Sequence, residues 1–388
     1  MIAYNREWLD NAALQEEAEY AHKEGCISAE EKARIAAAYP SGFYTPNPFI
    51  RSGLFLLTAV IVLFSLAFCC LIFMAGIEKA WRVLVFMFGL GVYTVLEIFI
   101  KDKQHHRSGV DDGLLWMSAI LLLGVFNIDV DIPAWMHCGM IFLAAGYATL
   151  RFADMMMSAC AVLAFLGVLF YLYLETGSIA RVTVPFVVMI ASLLIYQLAR
   201  RWCRNEKWRH YTNCFAAAEI SSLITLYLAG NYFVVREVSN EMFGLHLLPG
   251  QSIPAGWLFW TTTILIPIIY LVLGIRQKNI SLLRIGLLLA AASIYTIRYY
   301  YSILSIEAAM TLCGGLLIAV AYTLIRYLHT PKHGFTYQPV NHAQLFERLQ
   351  AESLIITETF STPQAPARNT DFKFGGGTGG GGGAEGAW

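Results

Sequence analysis

The sequence predicts an all-α, polytopic transmembrane helical bundle with about ten spans, a short cytoplasmic helical hairpin and a disordered glycine-rich tail. Three observations predict this class. The 388 residues are 57% hydrophobic and only 14% charged, whereas soluble domains carry about 25% charged residues. Ten apolar runs approach the roughly 20 residues that a spanning helix needs. The cations between these runs fall mainly on one side of the predicted membrane.

Residues 1–50 form the first predicted domain, the cytoplasmic hairpin. The stretch 5–24 has helical composition and stops near Gly25, a residue type that commonly follows the last turn of a helix. Ser28 and Glu31 have the spacing of a capping box, and the second helix should stop before Pro40. So short a segment cannot build a large core alone. We therefore expect the hairpin to lean on the membrane domain or on a partner.

The transmembrane domain is predicted at 51–327. Its ten apolar runs cover 53–76, 81–100, 113–128, 132–150, 154–174, 181–199, 211–235, 257–275, 282–301 and 305–327. The third run is short, and Pro267 lies inside the eighth, where a proline predicts a kink. The polar residues before the first run lack the apolar core of a cleavable signal peptide. We expect the first span to act as the insertion signal.

The loop cations give the orientation of these spans. Cytoplasmic loops near membrane spans are enriched in lysine and arginine. With ten spans, fifteen cations share a side with both termini, in the segments 51, 101–107, 151, 200–209, 276–284 and 326–332. Only five cations lie on the opposite side. This bias predicts that both termini are cytoplasmic.

Acidic residues mark the starts of two spans. Asp111 and Asp112 precede the third span, and Asp154 opens the fifth. Carboxylates at these positions accept hydrogen bonds from the free N–H groups of a first helical turn. We expect this capping role rather than metal binding. The neighbouring His105 and His106 belong to a basic loop and are expected in solvent.

The C-terminal part divides into two predicted segments. Residues 328–371 indicate a cytoplasmic amphipathic helix followed by a linker. Residues 372–388 are rich in glycine, which loses the most backbone freedom on ordering, so we expect a disordered tether. Its last residue, Trp388, is the candidate tail anchor, for either a cytoplasmic protein or the membrane interface.

Two patches and the overall layout suggest a family. A hairpin containing GCISAEEKARI precedes a polytopic domain that holds SGVDDGLLW and closes with RYYYSILSIEAAMTLCGGLLIAVAYTLIRY. With its glycine-rich, tryptophan-ended tail, the chain resembles uncharacterised bacterial multi-pass membrane proteins that are grouped as domains of unknown function. The resemblance implies a bacterial inner-membrane protein and no defined activity.

Polar residues inside the apolar runs are the candidate site residues. Glu219 falls about eight residues into span seven, roughly 12 Å deep, where a carboxylate marks a proton or substrate site or a bond between helices. Ser222 and Asn231 follow in the same span and complete a candidate intramembrane polar site. Arg298 and Glu307 flank the last external turn. They form a candidate ion pair or, alternatively, a substrate gate.

Two function classes remain open. The sequence contains no catalytic set, phosphate-binding loop or Cys/His metal spacing, so we expect no catalysis, cofactor or metal. The basic segment 200–210 indicates contact with anionic lipid rather than with nucleic acid. The soluble ends favour a non-catalytic scaffold or sensor of the bacterial inner membrane. Its partners would be the lipid bilayer and a cytoplasmic protein that binds the hairpin or the tail. The alternative is a small-molecule or ion transporter that uses Glu219 near the bilayer midplane.

Overall fold

The structure is a computed structural model that describes residues 2–23, 25–73, 77–127, 132–177, 180–243, 251–301 and 306–327. Over these residues the chain is helical and contains no β-strand, which confirms the predicted all-α class. The helices are α1 (Arg6–Lys23), α2 (Ala29–Ala38), α3 (Pro48–Ile72), α4 (Ile77–Lys101), α5 (Val110–Gly124), α6 (Ala134–Phe152), α7 (Met155–Leu174), α8 (Ala180–Cys203), α9 (Thr212–Gly230), α10 (Tyr232–Phe243), α11 (Gly256–Gln277), α12 (Ile280–Tyr300) and α13 (Ile306–Tyr327). Short 3₁₀ helices cover Val125–Asn127 and Glu206–Tyr211.

Helices α1 and α2 form a hairpin on local signals. Gly25 lies in the turn with a φ of 73°, a conformation that glycine adopts without steric cost. The Glu31 N–H donates to Ser28 Oγ at 3.2 Å, and the Ser28 N–H donates to the Glu31 carboxylate at 2.8 Å. The predicted capping box is therefore present.

Seven helices of the described chain are long and apolar enough to cross a membrane. They are Pro48–Ile72, Trp81–Lys101, Met155–Leu174, Thr183–Cys203, Glu206–Gly230, Gly256–Gln277 and Ile280–Tyr300. The fold is thus that of a multi-pass membrane protein. Three further predicted spans coincide with shorter or less apolar helices. Helix α5 has 15 residues, α6 contains His137 and Arg151, and α13 is described in part. The count of ten remains a prediction.

The predicted seventh span, 211–235, is not one helix. Asn231 has an extended backbone, with φ −82° and ψ 127°, so α9 ends at Gly230. The Asn231 Oδ1 then accepts hydrogen bonds from the N–H groups of Phe233 and Val234, at 2.9 and 3.2 Å. An asparagine side chain can satisfy the free N–H groups of a helix start in this way. A new helix, α10, therefore begins at Tyr232.

The buried side chains form two main clusters along the bundle. One joins α4, α5, α6 and α7 to the residues before α1 and includes Tyr4, Leu96, Leu114, Phe152 and Met157. The other joins α9, α11 and α12 and includes Leu223, Tyr227, Ile266, Tyr270 and Leu282. Helix α3 leaves most of its apolar side chains exposed, as expected for a helix that faces lipid.

Candidate functional site at the start of helix α5

Four segments meet where α5 begins: the residues before α1, the start of α3, the loop 102–109 and the start of α7. Their polar side chains form a cluster that we call the N-terminal junction: Tyr4, Arg51, His105, His106, Ser108, Asp111, Asp112 and Asp154. Gly109 allows the close approach of α5 to α3. Its φ is 89°, and a Cβ atom there would lie 2.0 Å from the carbonyl oxygen of Arg51. Only glycine fits this position without moving the backbone.

Asp111 is the centre of the junction and is 3% exposed. Its carboxylate accepts hydrogen bonds from the N–H groups of Arg107 and Ser108, both at 2.8 Å, and from Ser108 Oγ at 3.0 Å. The Tyr4 hydroxyl also donates to it, at 3.4 Å. Asp111 was predicted to cap the first turn of its helix. Instead it closes the preceding loop and holds the N-terminal segment, because the loop folds back over the start of α5.

Asp112 pairs with Arg51 of α3 rather than capping its helix. The Arg51 Nε and Nη2 atoms lie 2.8 and 2.7 Å from Asp112 Oδ2. Burial raises the pKa of Asp112 to about 6, and the nearby carboxylates of Asp111 and Asp154 act in the same direction. Asp154 caps α7 as predicted, since its Oδ1 accepts the Met157 N–H at 2.7 Å.

The two histidines are partly buried and packed against aromatic rings, whereas the prediction placed them in solvent. His105 Nδ1 lies 2.7 Å from Ser108 Oγ, and its ring packs on Tyr44 and Phe99. The His106 ring packs against Tyr4, with ring centroids 4.6 Å apart. Burial lowers the pKa of His106 to about 3, so this ring is neutral near pH 7. The prediction failed because the N-terminal segment covers the loop, a long-range contact.

Glu97 of α4 anchors a second polar group, which the sequence analysis missed. Arg151 of α6 binds its carboxylate through Nε at 3.0 Å and Nη2 at 2.8 Å. Tyr93 Oη donates to Glu97 at 2.9 Å and lies 2.8 Å from Tyr147 Oη, while Lys101 Nζ lies 3.3 Å from Glu97. The sequence does contain a signal for this pair, because Glu97 and Arg151 are opposite charges near the C-terminal ends of two predicted spans.

The N-terminal segment connects directly to this second group. The Ala3 N–H donates to the Arg151 carbonyl oxygen at 2.8 Å. Further along, Asp10 of α1 forms an ion pair with Arg209 and lies 3.7 Å from His210 Nε2. The hairpin is therefore attached to the bundle at three places: the junction, the end of α6 and the segment before α9.

Glu219 and Asn231 do not share a site. They are separated by twelve residues, or about 18 Å along the helix. Glu219 is half-buried, close enough to Arg200 and Arg204 for their charges to act on its carboxylate. Since Arg200 lies in the last turn of α8 and Arg204 directly follows that helix, Glu219 is nearer the end of the bundle than its depth in the predicted span implied. Ser222 is fully buried and donates to the Glu219 carbonyl oxygen at 2.9 Å.

Asn231 belongs to a buried joint between α9, α11 and α12. Its Nδ2 donates to Tyr227 Oη at 2.8 Å and to Thr296 Oγ1 at 3.1 Å. Tyr227 Oη lies 2.9 Å from Ser293 Oγ, and the N–H of Tyr232 donates to a threonine of α11 at 2.9 Å. The polar groups exposed by the helix break are thus satisfied within the protein, as a membrane interior requires.

The remaining candidates lie at the outer end and in the tail. Arg298 is in the last turn of α12, and among the described residues its Nε has no hydrogen-bond partner, while Glu307 is in the first turn of α13. The linking residues 302–305 are outside the described chain, and the Arg298–Glu307 pair stays a prediction. Trp388 and segments 328–371 and 372–388 also lie outside the described residues.

Comparison with known proteins adds no family to this geometry. No protein-family model matches the chain, and no curated protein or solved structure is significantly similar to it. Within the described residues, no group of three His, Cys, Asp or Glu side chains is arranged to hold a metal ion. The class of the molecule is therefore defined by its fold: a helical, multi-pass membrane protein with a hairpin attached to one end.

Proposed function

We propose that the chain is a non-catalytic scaffold or sensor of the bacterial cytoplasmic membrane. It has about ten spans and both termini in the cytoplasm, and it acts through its N-terminal hairpin and its glycine-rich tail. The bundle holds the hairpin in place, and the hairpin presents a surface to a cytoplasmic protein.

One observation carries this proposal: the residues before α1 are built into the core of the bundle. Tyr4 is 8% exposed and packs among the buried side chains of α4, α5 and α6. Ala3 bonds to the end of α6, and Tyr4 bonds to Asp111. Because packed interfaces adopt discrete arrangements, a rearrangement of these helices must move the start of the hairpin. The buried N-terminal residues therefore couple a conformational change in the membrane domain to the position of the soluble hairpin.

The orientation is tested with reporter fusions. Fusions at 105, 205 and 388 should report cytoplasm, and a fusion at 245 should report the outside. A cytoplasmic signal at 245 would contradict the ten-span arrangement.

The scaffold function is tested by photocrosslinking in native membranes. A photoreactive residue replaces Glu30, which is 87% exposed on α2, and in a matched control it replaces Phe64, which is 73% exposed on α3. We expect a discrete protein adduct from position 30 and only lipid adducts from position 64. Tyr4→Phe should reduce the adduct, because it removes the bond to Asp111. The proposal for the hairpin would be refuted if position 30 gave no protein adduct in either the full-length protein or a variant that lacks residues 372–388.

The tail is tested separately. Trp388→Ala should abolish partner capture by the tail or weaken its contact with lipid, while the spans remain inserted. Shortening the glycine run should have a smaller effect, because the run only sets reach. No change in interactions or phenotype on deletion of 372–388 would show that the tail is not a tether.

A transporter is the second candidate, favoured by the interrupted α9–α10 pair beside the proline-containing helix α11. Discontinuous helices line the substrate sites of many transporters. Glu219 would then move a proton or bind a cation. In liposomes with an imposed pH gradient, the wild type should dissipate the gradient and Glu219→Gln should not. The control Glu175→Gln, at the end of α7, should behave like the wild type. Equal gradients with and without protein would exclude proton transport.

A further inference from the structure

Cations and aromatic rings are combined at one end of the bundle, in the last turn of α8 and the residues that lead to α9. This stretch comprises residues 200–211, which we call the basic–aromatic segment. Five cations lie in it against one carboxylate, that of Glu206; the cations are Arg200, Arg201, Arg204, Lys207 and Arg209. This is the densest positive charge in the described chain.

The five cations differ in whether they already have a hydrogen-bond or ion-pair partner in the protein. Arg200 donates to Tyr196 and Gln277, and Arg209 is paired with Asp10 of the hairpin. The other three cations are exposed, and within the described residues none of them forms an ion pair; they are Arg201, Arg204 and Lys207. Three positive charges are thus left to bind an anion.

The same stretch of chain also carries a cluster of aromatic rings. The Trp202 and Trp208 rings stack with centroids 6.4 Å apart, and Phe215 lies 6.0 Å from Trp202. Tyr211 lies 5.7 Å from Trp208 and donates its hydroxyl to the Leu150 carbonyl oxygen at 2.7 Å. Trp202 is 44% exposed. Tryptophan and tyrosine rings with one exposed edge favour the headgroup level of a bilayer.

The segment also has a defined backbone. Asn205 caps the 3₁₀ helix by accepting the Lys207 N–H at 3.1 Å, and Thr212 Oγ1 donates to the Arg209 carbonyl oxygen at 2.7 Å. The backbone that carries the cations therefore has a defined conformation. The segment covers the end of Thr183–Cys203 and the start of Glu206–Gly230, two helices able to span the membrane. It therefore lies where these two helices meet the bilayer surface.

From this geometry we infer that the basic–aromatic segment is a binding site for anionic phospholipids, with Arg201, Arg204 and Lys207 on the lipid phosphates and the tryptophans among the headgroups. Positive charge fits anionic lipid, and the ring stack fits the membrane interface rather than a soluble anion. The inference does not depend on the scaffold or transporter proposals, because it concerns lipid selection at one end of the bundle.

The test uses the full-length protein in phosphatidylcholine vesicles at low salt. Spin-labelled phosphatidylglycerol and phosphatidylcholine report the relative association of each lipid with the protein. The wild type should prefer phosphatidylglycerol. The triple variant Arg201→Gln/Arg204→Gln/Lys207→Gln should lower that preference by at least about fivefold, the effect of a single cation at an anionic membrane surface.

A matched variant separates a site from general surface charge. Lys32→Gln/Arg34→Gln/Lys103→Gln removes the same number of positive charges outside the segment and should leave the preference unchanged. Equal losses in the two triple variants would overturn the inference. The inference would also be overturned if the wild type showed no preference for phosphatidylglycerol. That result would favour an acidic protein as the partner of the segment. If the triple variant does not insert, Lys207→Gln alone should still lower the preference, and an unchanged value would also overturn it.

Discussion

Replacing Asn231 with alanine tests whether the joint between α9 and α10 is a stabilising structure. The side chain is 2% exposed and serves both helices at once. Its Oδ1 accepts from the N–H groups of Phe233 and Val234, and its Nδ2 donates to Tyr227 and Thr296. Alanine removes all of these contacts and leaves two N–H groups without a partner.

The magnitude follows from the two kinds of contact. Loss of a helix cap costs about 1 kcal/mol, and each interhelical hydrogen bond in a membrane protein contributes about 0.6 kcal/mol. We expect Asn231→Ala to lower the free energy of unfolding by about 2 kcal/mol. Serine keeps a capping oxygen but is too short to reach α12. Asn231→Ser should therefore lower the free energy of unfolding by only about 1 kcal/mol.

The assay is reversible unfolding in mixed micelles with increasing SDS, followed by far-ultraviolet circular dichroism. Thr261→Ala is the control, because Thr261 is exposed on α11 and, within the part of the chain that the structure describes, bonds only to the Trp257 carbonyl oxygen of its own helix. It should change stability by less than about 0.5 kcal/mol. The reasoning would be wrong if Asn231→Ala matched this control, or if serine were no better than alanine.

Two predictions concern the N-terminal junction. The pKa of Asp112 is raised from the ordinary 3.8 to about 6, so the folded protein binds this proton more tightly than the unfolded chain. Its contribution to stability is complete below pH 3.8 and is lost as the pH rises to about 6. Relative to Asp112→Asn, the wild type should therefore lose about 2 kcal/mol between pH 4 and pH 7, measured by thermal unfolding in detergent; parallel profiles would contradict this. Gly109→Ala should destabilise the protein by more than about 2 kcal/mol, because the new Cβ meets the Arg51 carbonyl oxygen. In the same measurement Gly53→Ala should be neutral or stabilising, because its Cβ would meet no atom of the described residues within 4 Å.

The sequence by itself determined the helical class and several helix ends. Apolar runs of the right length predict helices wherever they occur, since a membrane leaves the backbone no other partner. The capping box of Ser28 and the cap of Asp154 were also predictable, because both bonds join residues three apart in the chain. Such signals need only the local order of residues.

Local signals do not predict the helix break at Asn231, although they do identify Asn231 as a candidate polar residue of the span. A polar residue inside an apolar run is compatible with a continuous helix. The interruption depends on distant partners, because the Tyr232 N–H bonds to Thr263 of α11 and Asn231 bonds to Thr296 of α12. Its bond to Thr296 spans 65 residues of sequence. No spacing rule connects positions that far apart.

The tertiary structure alone decided the candidate site. Tyr4 and Asp111 are 107 residues apart, and Glu97 and Arg151 are 54 apart. Their pairing depends on which helix ends lie side by side and how the hairpin folds back over them. The hydropathy of a sequence predicts which segments enter the membrane. It carries no information about which distant residue a given side chain contacts. The junction therefore follows from the packing of the helices, where a buried carboxylate must find a donor whatever its distance along the chain.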